Sequence, residues 1–361
     1  MHSAAFSLDV VDRPVAVVGA GLAGARCASL LREAGLAVTV VDKSRGAGGR
    51  LATRRGVWTD AAGQQHTVRW DHGAPGFETT APDFLAWLHA QAAQGRARVV
   101  QAKVAGQGLG PARWQGWPTQ PALCQSLLEG AATHWNCTVQ GLTRDPEGWT
   151  LHTDGGDLGP FAAVVLALPP AQAAPLLAPH RDDWARAASL VPMQPCWTLM
   201  GVSESLAGDP HDEVWLPEMG PLERLTRQRA ADLPAGATAW VAHARAAWSR
   251  QHLEDPAEQV LPDLQAAAEA ALGQPVRWLH AAVHRWRYAQ PALPPREDWG
   301  GARWDAALAL GLCGDHLAGF GAEGAWRSGS ALAQCMQAPS RHAPPPLGRA
   351  DGAVVVAPAR P

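Results

Sequence analysis

The sequence predicts an α/β fold in which a Rossmann-like domain carries a second, mixed-sheet domain inserted into it. A β-branched apolar run over residues 15–18 is followed at once by a glycine-rich turn, and the helical stretch 25–34 then leads to a second apolar run at 38–41. After residue 170 Pro, Trp and charged residues become frequent and the glycine motifs stop, which indicates the inserted domain. A chain of 361 residues is long enough for both domains.

The glycine turn has the spacing of a dinucleotide-binding motif. Gly19 permits the tight turn, Gly21 lets a diphosphate approach the backbone, and Gly24 lets the helix pack close to the strand. Asp42 ends the second strand, where its carboxylate can accept hydrogen bonds from a ribose hydroxyl and disfavours a 2′-phosphate. Because strand, helix and acid all stand at the expected distances, we expect a dinucleotide at the helix N-terminus.

A second glycine-rich loop, residues 43–50, follows the acid directly. Its backbone is flexible, and the guanidinium groups of Arg45 and Arg50 can bind phosphate oxygens through two hydrogen bonds at once. Together with Lys43, they predict a phosphate clamp, with a solvent-exposed loop as the alternative.

The rest of the chain reads as alternating helices and strands. Periodicity predicts helices over 82–93, 121–134, 255–272 and 325–336, and strands over 56–59, 67–70, 99–104, 137–142, 148–153, 161–168, 196–202, 238–244, 276–288 and 308–312. We assign residues 13–75, 99–170 and 301–337 to the nucleotide domain, and 76–98 and 171–300 to the substrate domain. Residues 1–12 are expected to be a loose tail, and 338–361 a disordered tail or a docked extension.

Composition excludes several classes of function. The net charge of −3 and the lack of a long basic block argue against a nucleic-acid partner. Six scattered cysteines form neither a zinc pattern nor a disulfide framework, so we expect no metal site. No run approaches the about 18 apolar residues of a membrane span, so we expect no membrane partner and a cytoplasmic location.

The order of these signals resembles the FAD-binding fold of flavin-containing amine oxidases, which is also p-hydroxybenzoate hydroxylase-like, and within it the renalase-like FAD-dependent oxidoreductases. The resemblance spans residues 13–336. The segments that carry it are Gly19–Gly24, Asp42, Gly48–Arg50, Asp71–Ala74, Ala167–Pro169, His284–Tyr288, Gly314–Asp315 and Glu323–Gly324.

The resemblance implies non-covalently bound FAD. Asp315 would accept a hydrogen bond from a ribityl hydroxyl, and the helix beginning near Gly324 would point its N–H groups at the flavin edge where negative charge collects. The cofactor-binding residues that it implies are Gly19, Gly21, Leu22, Ala23, Gly24, Asp42, Lys43, Arg45, Gly49, Arg50, Asp71, His72, Gly73, Ala74, Val139, Ala167, Gly314, Asp315, Glu323, Gly324 and Ala325.

Four residues are candidates for catalysis: His72, His243, His284 and Trp286. His72 would lie near the isoalloxazine ring as an acid or base, or it would only hydrogen-bond the backbone. The renalase-like pattern has Gln at position 75, but this sequence has Pro75, so a flavin contact through that side chain is lost or replaced.

The strand over 283–288 alternates in character. His284, Trp286 and Tyr288 share one face, which could hold a planar ring against the flavin. Arg285 and Arg287 share the other face and could meet the phosphates of a nucleotide-like substrate. His243 is a similar candidate on a neighbouring strand, and ordinary packing between domains is the alternative for all of these residues.

Lysine usage distinguishes the branches of the family. Lys43 and Lys103 are the only lysines, and neither lies in the segment where many amine oxidases place a lysine near flavin N5. This argues against a typical amine oxidase, and the resemblance implies a renalase-like oxidase that transfers hydride from an isomeric dihydro-NAD(P), a small-molecule substrate, to FAD and then to O2, giving NAD(P)+ and H2O2. The alternatives are a flavin amine oxidase or desaturase acting on another small molecule, and a non-enzymatic flavoprotein.

Overall fold

The computed structural model describes residues 13–338 except 61, 207–210, 217–219, 229–232 and 296–298. The tail expected over 1–12, and all but residue 338 of the tail expected over 338–361, lie outside the described residues. The strands are β1 Val15–Val18, β2 Val38–Val41, β3 Thr53–Thr59, β4 Gln65–Asp71, β5 Ala97–Val104, β6 Gly108–Gly116, β7 Ala132–His134, β8 Val139–Asp145, β9 Gly148–Thr153, β10 Gly156–Phe161, β11 Ala163–Leu166, β12 Met193–Glu204, β13 Glu213–Trp215, β14 Leu222–Gln228, β15 Ala237–Ala244, β16 Trp278–Pro291, β17 Arg303–Asp305 and β18 Leu310–Leu312. The helices are α1 Leu22–Glu33, α2 Pro82–Ala93, α3 Ala122–Leu127, α4 Pro170–Leu177, α5 Asp182–Ser189, α6 Ala246–Gln251, α7 Ala257–Leu272, α8 Asp315–Ala318 and α9 Gly321–Gln337.

A six-stranded sheet forms the nucleotide side, in the order β17-β18-β11-β1-β2-β7. Strands β1, β2, β7, β11 and β18 are parallel to their neighbours, and β17 pairs antiparallel with β18 at the edge. Every residue of β1, β2 and β11 is buried, as the unbroken apolar runs predict for a sheet covered on both faces. The carboxyl ends of β1 and β2 therefore meet at one edge, beside the N-terminus of α1.

The helix predicted over 121–134 is wrong in its second half. Helix α3 ends at Leu127, and β7 then runs parallel to β2. Gly130 has φ +75°, a left-handed conformation that ends a helix readily. The backbone groups along β2 would otherwise lie unpaired at a sheet edge, so pairing with β7 overrides the helical propensity of the segment.

A seven-stranded sheet forms the other layer, in the order β16-β12-β15-β14-β13-β5-β6. Strands β5 and β6, which the sequence assigned to the nucleotide domain with residues 99–170, belong to this sheet through the pairing of Glu213 with Val104. Helix α7 covers one face of the sheet, and the β3–β4 hairpin packs against the opposite face through Trp58, Val68 and Trp70.

Helix α2 belongs to the nucleotide side, although the sequence assigned it to the substrate domain. Residues 76–98 were assigned to the substrate domain, yet Phe84 and Leu88 are fully buried in the core of the nucleotide side. The Phe84 ring stacks on Trp326 of α9 with 4.4 Å between ring centroids. Within the described part of the chain, no helix combines the length and apolar character needed to cross a membrane.

Candidate cofactor and substrate site

The turn after β1 leaves room for a diphosphate. Gly19 has φ +109°, and a Cβ there would lie 2.4 Å from the Ala167 carbonyl oxygen. A Cβ on Gly24 would lie 2.0 Å from the Gly19 carbonyl oxygen, so only glycine permits this approach of turn and helix. Gly21 caps α1 without any side-chain hydrogen bond, and a Cβ there would meet only the Cα of Gly49, at 3.8 Å. The first turn of α1, which begins with Leu22 and Ala23, carries no acidic residue, so its N–H groups can receive an anion.

Asp42 lies where the motif predicts and also fixes the turn. One carboxylate oxygen accepts a hydrogen bond from the Ala20 N–H at 2.7 Å, and the other accepts one from the Ser44 N–H at 2.7 Å. The Asp42 carbonyl accepts the Cys137 N–H at 3.0 Å, which places the start of β8, at Val139, close to this acid. Lys43 and Arg45 are exposed at the rim of the same loop.

Arg50 and Asp315 are brought together from opposite ends of the chain. The guanidinium donates two hydrogen bonds of 2.7 Å to the two carboxylate oxygens, and a third of 3.1 Å to the Ala289 carbonyl. Asp315 is 2% exposed and Arg50 is 34% exposed, so the carboxylate is shielded from water while the guanidinium is partly exposed. In this structure Arg50 therefore binds the flavin-end acid, whereas the sequence assigned it to a phosphate clamp beside Arg45.

The start of α9 holds the segment that precedes α2 in place. The Glu323 carboxylate accepts hydrogen bonds from the Thr79 hydroxyl and from the Thr80 and Ala81 N–H groups, at 2.6, 2.7 and 3.2 Å, and so fixes the segment before α2. Gly324 packs on Gly319, because a Cβ there would lie 1.9 Å from the Gly319 carbonyl oxygen. Gly314 and Ala325, also implied by the resemblance, flank this turn and are buried.

The loop after β4 crosses the strands of the seven-stranded sheet. The Trp286 indole N–H donates to the His72 carbonyl at 3.2 Å, and the ring of His243 donates to the Gly73 carbonyl at 2.7 Å. At the far side, the Phe77 N–H donates to the Trp114 carbonyl at 3.1 Å. The loop thereby joins strands β16, β15 and β6, which lie far apart in the sheet order.

Asp71 and two glutamines hold this loop in place. The Asp71 carboxylate accepts hydrogen bonds from the Thr53 hydroxyl and the Gln120 N–H, and burial raises its pKa. The amide side chains of Gln120 and Gln115 donate to the Ala74 and Pro75 carbonyls at 3.0 and 2.7 Å. The side-chain amides of Gln115 and Gln120 thus contact the backbone of the loop in which Pro75 replaces the Gln expected from the resemblance.

All four catalytic candidates lie together, and the three histidines are neutral near pH 7. The rings of His72, His284 and Trp286 approach one another with centroid distances between 4.5 and 5.0 Å. Burial lowers the pKa of His72 to about 3, and those of His243 and His284 to about 4. The His72 Nδ1–H donates to the Ala52 carbonyl at 3.1 Å, so only Nε2 of this ring remains as a very weak base.

The pairing of β16 confirms the alternation predicted for it, and both of its arginines have partners within the protein. Arg285 donates to the Leu253 carbonyl at 2.6 Å, and Arg287 forms two hydrogen bonds with Glu254, at 2.6 and 2.7 Å. Arg285 also lies over the ring of Trp197, which packs on the α7 side of the sheet. Because successive strand residues point to opposite faces, neither arginine reaches the face that carries His284.

Sequence reasoning missed several buried polar groups. His316 follows Asp315 directly, is 3% exposed, and has a pKa that burial lowers to about 4. Arg113 and Glu213 form a buried ion pair on the larger sheet, near Arg224. His316 could have been found from its position directly after the Gly314–Asp315 motif. The ion pair of Arg113 and Glu213 could not, because the two residues are 100 positions apart and neither lies in a motif.

The residues present fit FAD. The turn at Gly21 would be filled by a Cβ, the α1 N-terminus has no side-chain cap, and Asp42 keeps carboxylate lone pairs beyond its two backbone bonds. Asp315 lies at the opposite end of the same sheet edge, after β18. The two ends are thus placed for the adenosine and ribityl parts of one extended cofactor.

Comparison with known proteins gives a consistent result. A family model for NAD(P)-binding Rossmann-like domains matches residues 17–90, and one for flavin containing amine oxidoreductases matches residues 120–337, more than half of the chain. A bifunctional protein of tRNA 5-methylaminomethyl-2-thiouridine biosynthesis from Magnetococcus marinus is 29% identical over 208 residues, covering 46% of this chain and 31% of that protein. The matched part is therefore under a third of that relative's length.

Solved structures share the fold. A candidate protoporphyrinogen oxidase from Exiguobacterium sp. 255-15 has a TM-score of 0.68 at 11% identity, covering 91% of this chain and 99% of that chain. Cyclohexylamine oxidase from Brevibacterium oxydans IH-35A has a TM-score of 0.59 at 15% identity, with the same coverage. The α/β fold with a Rossmann-like domain and a mixed-sheet domain, predicted from the sequence, is confirmed.

Proposed function

The chain belongs to the family of flavin-containing amine oxidoreductases and is an FAD-dependent oxidoreductase, and we propose that its substrate is an isomeric dihydro-NAD(P), as in the renalase-like branch. Such a substrate carries its hydride on a ring carbon other than that of ordinary NAD(P)H. The overall reaction consumes the dihydronucleotide, O2 and one proton, and yields NAD(P)+ and H2O2.

The absence of a strong base from the aromatic cluster is the observation that carries this proposal. We call His72, His284 and Trp286, whose rings contact one another, the aromatic cluster. Its histidines have pKa values of about 3 and 4, so they bind no proton at neutral pH and would accept one only weakly. Loss of hydride from a dihydropyridine needs no base, since it restores an aromatic ring.

The lysines support the same conclusion. Lys43 is exposed beside Asp42, and Lys103 is exposed on β5, where its backbone N–H donates a hydrogen bond to the Asp212 carboxylate at 3.1 Å. Neither side chain belongs to the aromatic cluster. A site that relied on a lysine to assist proton removal would need one within hydrogen-bond reach of the reacting atoms.

The chain's own residues position the substrate and exclude water. The flat rings of the aromatic cluster offer a surface for a planar nicotinamide, and the loop that includes His72 and Gly73 closes the site against the sheet. The chemistry that FAD would supply here, when bound, is that of a hydride acceptor that O2 can reoxidise. Asp315 and the backbone at the α9 N-terminus would hold its ribityl and pyrimidine end.

An anaerobic mixing experiment tests the proposal. Purified holoenzyme should lose its yellow colour on mixing with 6-dihydro-NAD, while ordinary NADH at the same concentration should bleach it much more slowly. Readmitting O2 should restore the colour and release one H2O2 per substrate oxidised. Bleaching by an amine, together with no bleaching by any dihydronicotinamide isomer, would contradict the proposal.

Amine oxidation is the second candidate, because the family model that matches the chain is named for it. Family membership supports the redox chemistry of both candidates equally. An oxygen-consumption screen over primary and secondary amines separates them, since only an amine oxidase consumes O2 there.

A further inference from the structure

The seven-stranded sheet buries a group of charges that the aromatic cluster does not use. We call the face that carries His243 and His284 the site face. Arg224 of β14 is paired directly with His243 of β15, and Trp215 of β13 is paired with Arg224. Residues paired in this way share a face, so Arg224 and Trp215 lie on the site face.

Arg113 and Glu213 belong to the same group. Glu213 is paired with Thr226 of β14, which stands two residues from Arg224 and therefore on the same face. Arg113 donates one hydrogen bond from Nη2 to Glu213, and both side chains are almost fully buried, at 6% and 3% exposed. Its Nε and Nη1 groups, also buried, have no hydrogen-bond partner within the described residues.

Two arginines lie close to one buried carboxylate. Glu213 is committed through both oxygens, to Arg113 and to the Trp215 indole N–H at 2.7 Å. Arg224 has no ion pair in the part of the chain that the structure describes, and it lies 5.3 Å from the centre of the Trp215 ring. Burial lowers the pKa of Arg224, the charges of Glu213 and Glu223 raise it, and that of Arg113 lowers it, so the two guanidinium groups are neighbours.

An unused hydrogen-bond donor lies beside the two arginines. The Thr226 hydroxyl is buried without a partner among the described residues and can donate to an anion. A buried guanidinium without its hydrogen bonds is costly, and an oxyanion satisfies both the charge and the donors at once. The arrangement therefore matches one anionic group.

We propose that Arg113, Arg224 and Thr226 bind an oxyanion of the substrate, a phosphate or a carboxylate. Assigning this group to the diphosphate of a dihydronicotinamide nucleotide rests on the proposed function, whereas the anion site itself does not. Strand β14 lies three strands from β16, or about 14 Å from the aromatic cluster at one sheet spacing per step. That separation suits an elongated substrate whose ring and charged group lie far apart.

The loop that carries His72 runs from the aromatic cluster to the proposed anion site. His72 contacts Trp286, and Gly73 contacts His243. A Cβ on Gly76 would lie 3.3 Å from the Cβ of Arg113. A substrate held beneath this loop would thus meet the ring-binding and anion-binding groups along one path.

Thermal unfolding of the holoenzyme tests the site without any substrate. Sodium phosphate and sodium acetate are titrated separately, with sodium chloride at matched ionic strength as the reference. At least one oxyanion should raise the melting temperature of the wild type above that of the chloride reference. A larger effect of phosphate identifies a phosphate group, and a larger effect of acetate identifies a carboxylate.

Three variants locate the effect. Arg224→Gln should weaken apparent anion affinity about tenfold or more, and Thr226→Val, which is nearly isosteric, about threefold to tenfold. Arg227→Gln is the matched control, because Arg227 is exposed and paired with Trp240 on the opposite face of β14. Equal stabilisation of wild type and Arg224→Gln, or no stabilisation of the wild type by either oxyanion, would overturn the proposal.

A kinetic comparison connects the site to the substrate. In Arg224→Gln, KM should rise about tenfold for 6-dihydro-NAD but stay unchanged for 6-dihydronicotinamide riboside, which has no phosphate. An equal rise for both compounds would show that Arg224 does not recognise the phosphate. If neither compound reduces the flavin, the proposed function fails, while the titration still decides whether the anion site exists.

Discussion

The rate of flavin reduction should be independent of pH between about 6 and 8. In the proposed site, His72 and His284 would lie nearest to the reacting ring, and burial lowers their pKa values to about 3 and 4. A proton-independent hydride transfer then has no titrating partner in that range. Changing pH is therefore the perturbation that reports directly on the protonation state of the site.

The expected magnitudes separate three cases. At pH 6 a histidine of pKa 4 is about 1% protonated, so the rate should vary by only a few per cent, whereas an unperturbed histidine of pKa 6.5 would be about three-quarters protonated. An amine substrate with a pKa near that of a lysine, about 10, would lose reactive free base about tenfold per pH unit. A flat profile is thus distinct from a sigmoid of midpoint 6 to 7 and from a steadily rising line.

Anaerobic stopped-flow absorbance provides the measurement, at substrate concentrations well below KM so that kcat/KM is followed. His152→Gln serves as the control, because this partly exposed histidine lies on β9 and pairs with Asp157, away from the aromatic cluster. Wild type and control should give the same flat profile. A wild-type kcat/KM that changes with pH around a midpoint between 6 and 7 would refute the reasoning that the histidines are neutral. A kcat/KM that rises about tenfold per pH unit would favour amine oxidation.

Three further outcomes are expected. Gly24→Ala should weaken FAD binding by about a hundredfold or more, because its Cβ would lie 2.0 Å from a backbone oxygen, while Gly46→Ala, whose Cβ would meet nothing within 4 Å, should retain FAD; fluorescence titration of the apoprotein measures both. Arg285→Gln should change kcat/KM for 6-dihydro-NAD less than twofold, because Arg285 lies on the α7 side of the sheet, and a tenfold loss in steady-state assays would contradict that placement. The free energy of unfolding should fall by about 4 kcal/mol from pH 6 to pH 5, because His72, His243, His284 and His316 stay neutral in the folded protein but bind protons below about pH 6.5 once unfolded. Urea unfolding measures this fall, which should be below about 1 kcal/mol between pH 8 and 7, and a constant stability from pH 7 to 5 would contradict it.

Local sequence was sufficient where backbone sterics determine the structure. Gly19 and Gly24 could be assigned in advance, because the turn between a buried strand and a helix leaves no space for a Cβ at either position, and Gly21 followed from the spacing of the motif. The meeting of His72, His243, His284 and Trp286 was also foreseeable, since strand alternation and the family resemblance both pointed to one location. The position of Asp42 followed from the length of the βαβ unit.

Long-range pairing explains what the sequence could not show. Arg50 and Asp315 are 265 positions apart, and a guanidinium that suits a phosphate suits a carboxylate equally well. Alternation along β16 predicted that the aromatic side chains and Arg285 lie on opposite faces. Only the packing of α7 shows that the face of Arg285 is the one covered by this helix. Strands β5 and β6 could be placed only through β13, a three-residue strand with no periodic signal.

The two groups of arginines, taken together, distinguish the candidate substrates. Arg50 is neutralised by Asp315, so it adds little net charge to the flavin end of the site. Among the described residues, Arg113 and Arg224 lie beside the buried carboxylate of Glu213, with Glu223 also raising the pKa of Arg224, and both guanidinium groups face the proposed anion site. An amine is a cation at neutral pH and would be repelled there, and it would meet no histidine able to take its proton. A dihydronicotinamide nucleotide brings the negative charge that these arginines lack, and it has no proton to lose before it gives up its hydride.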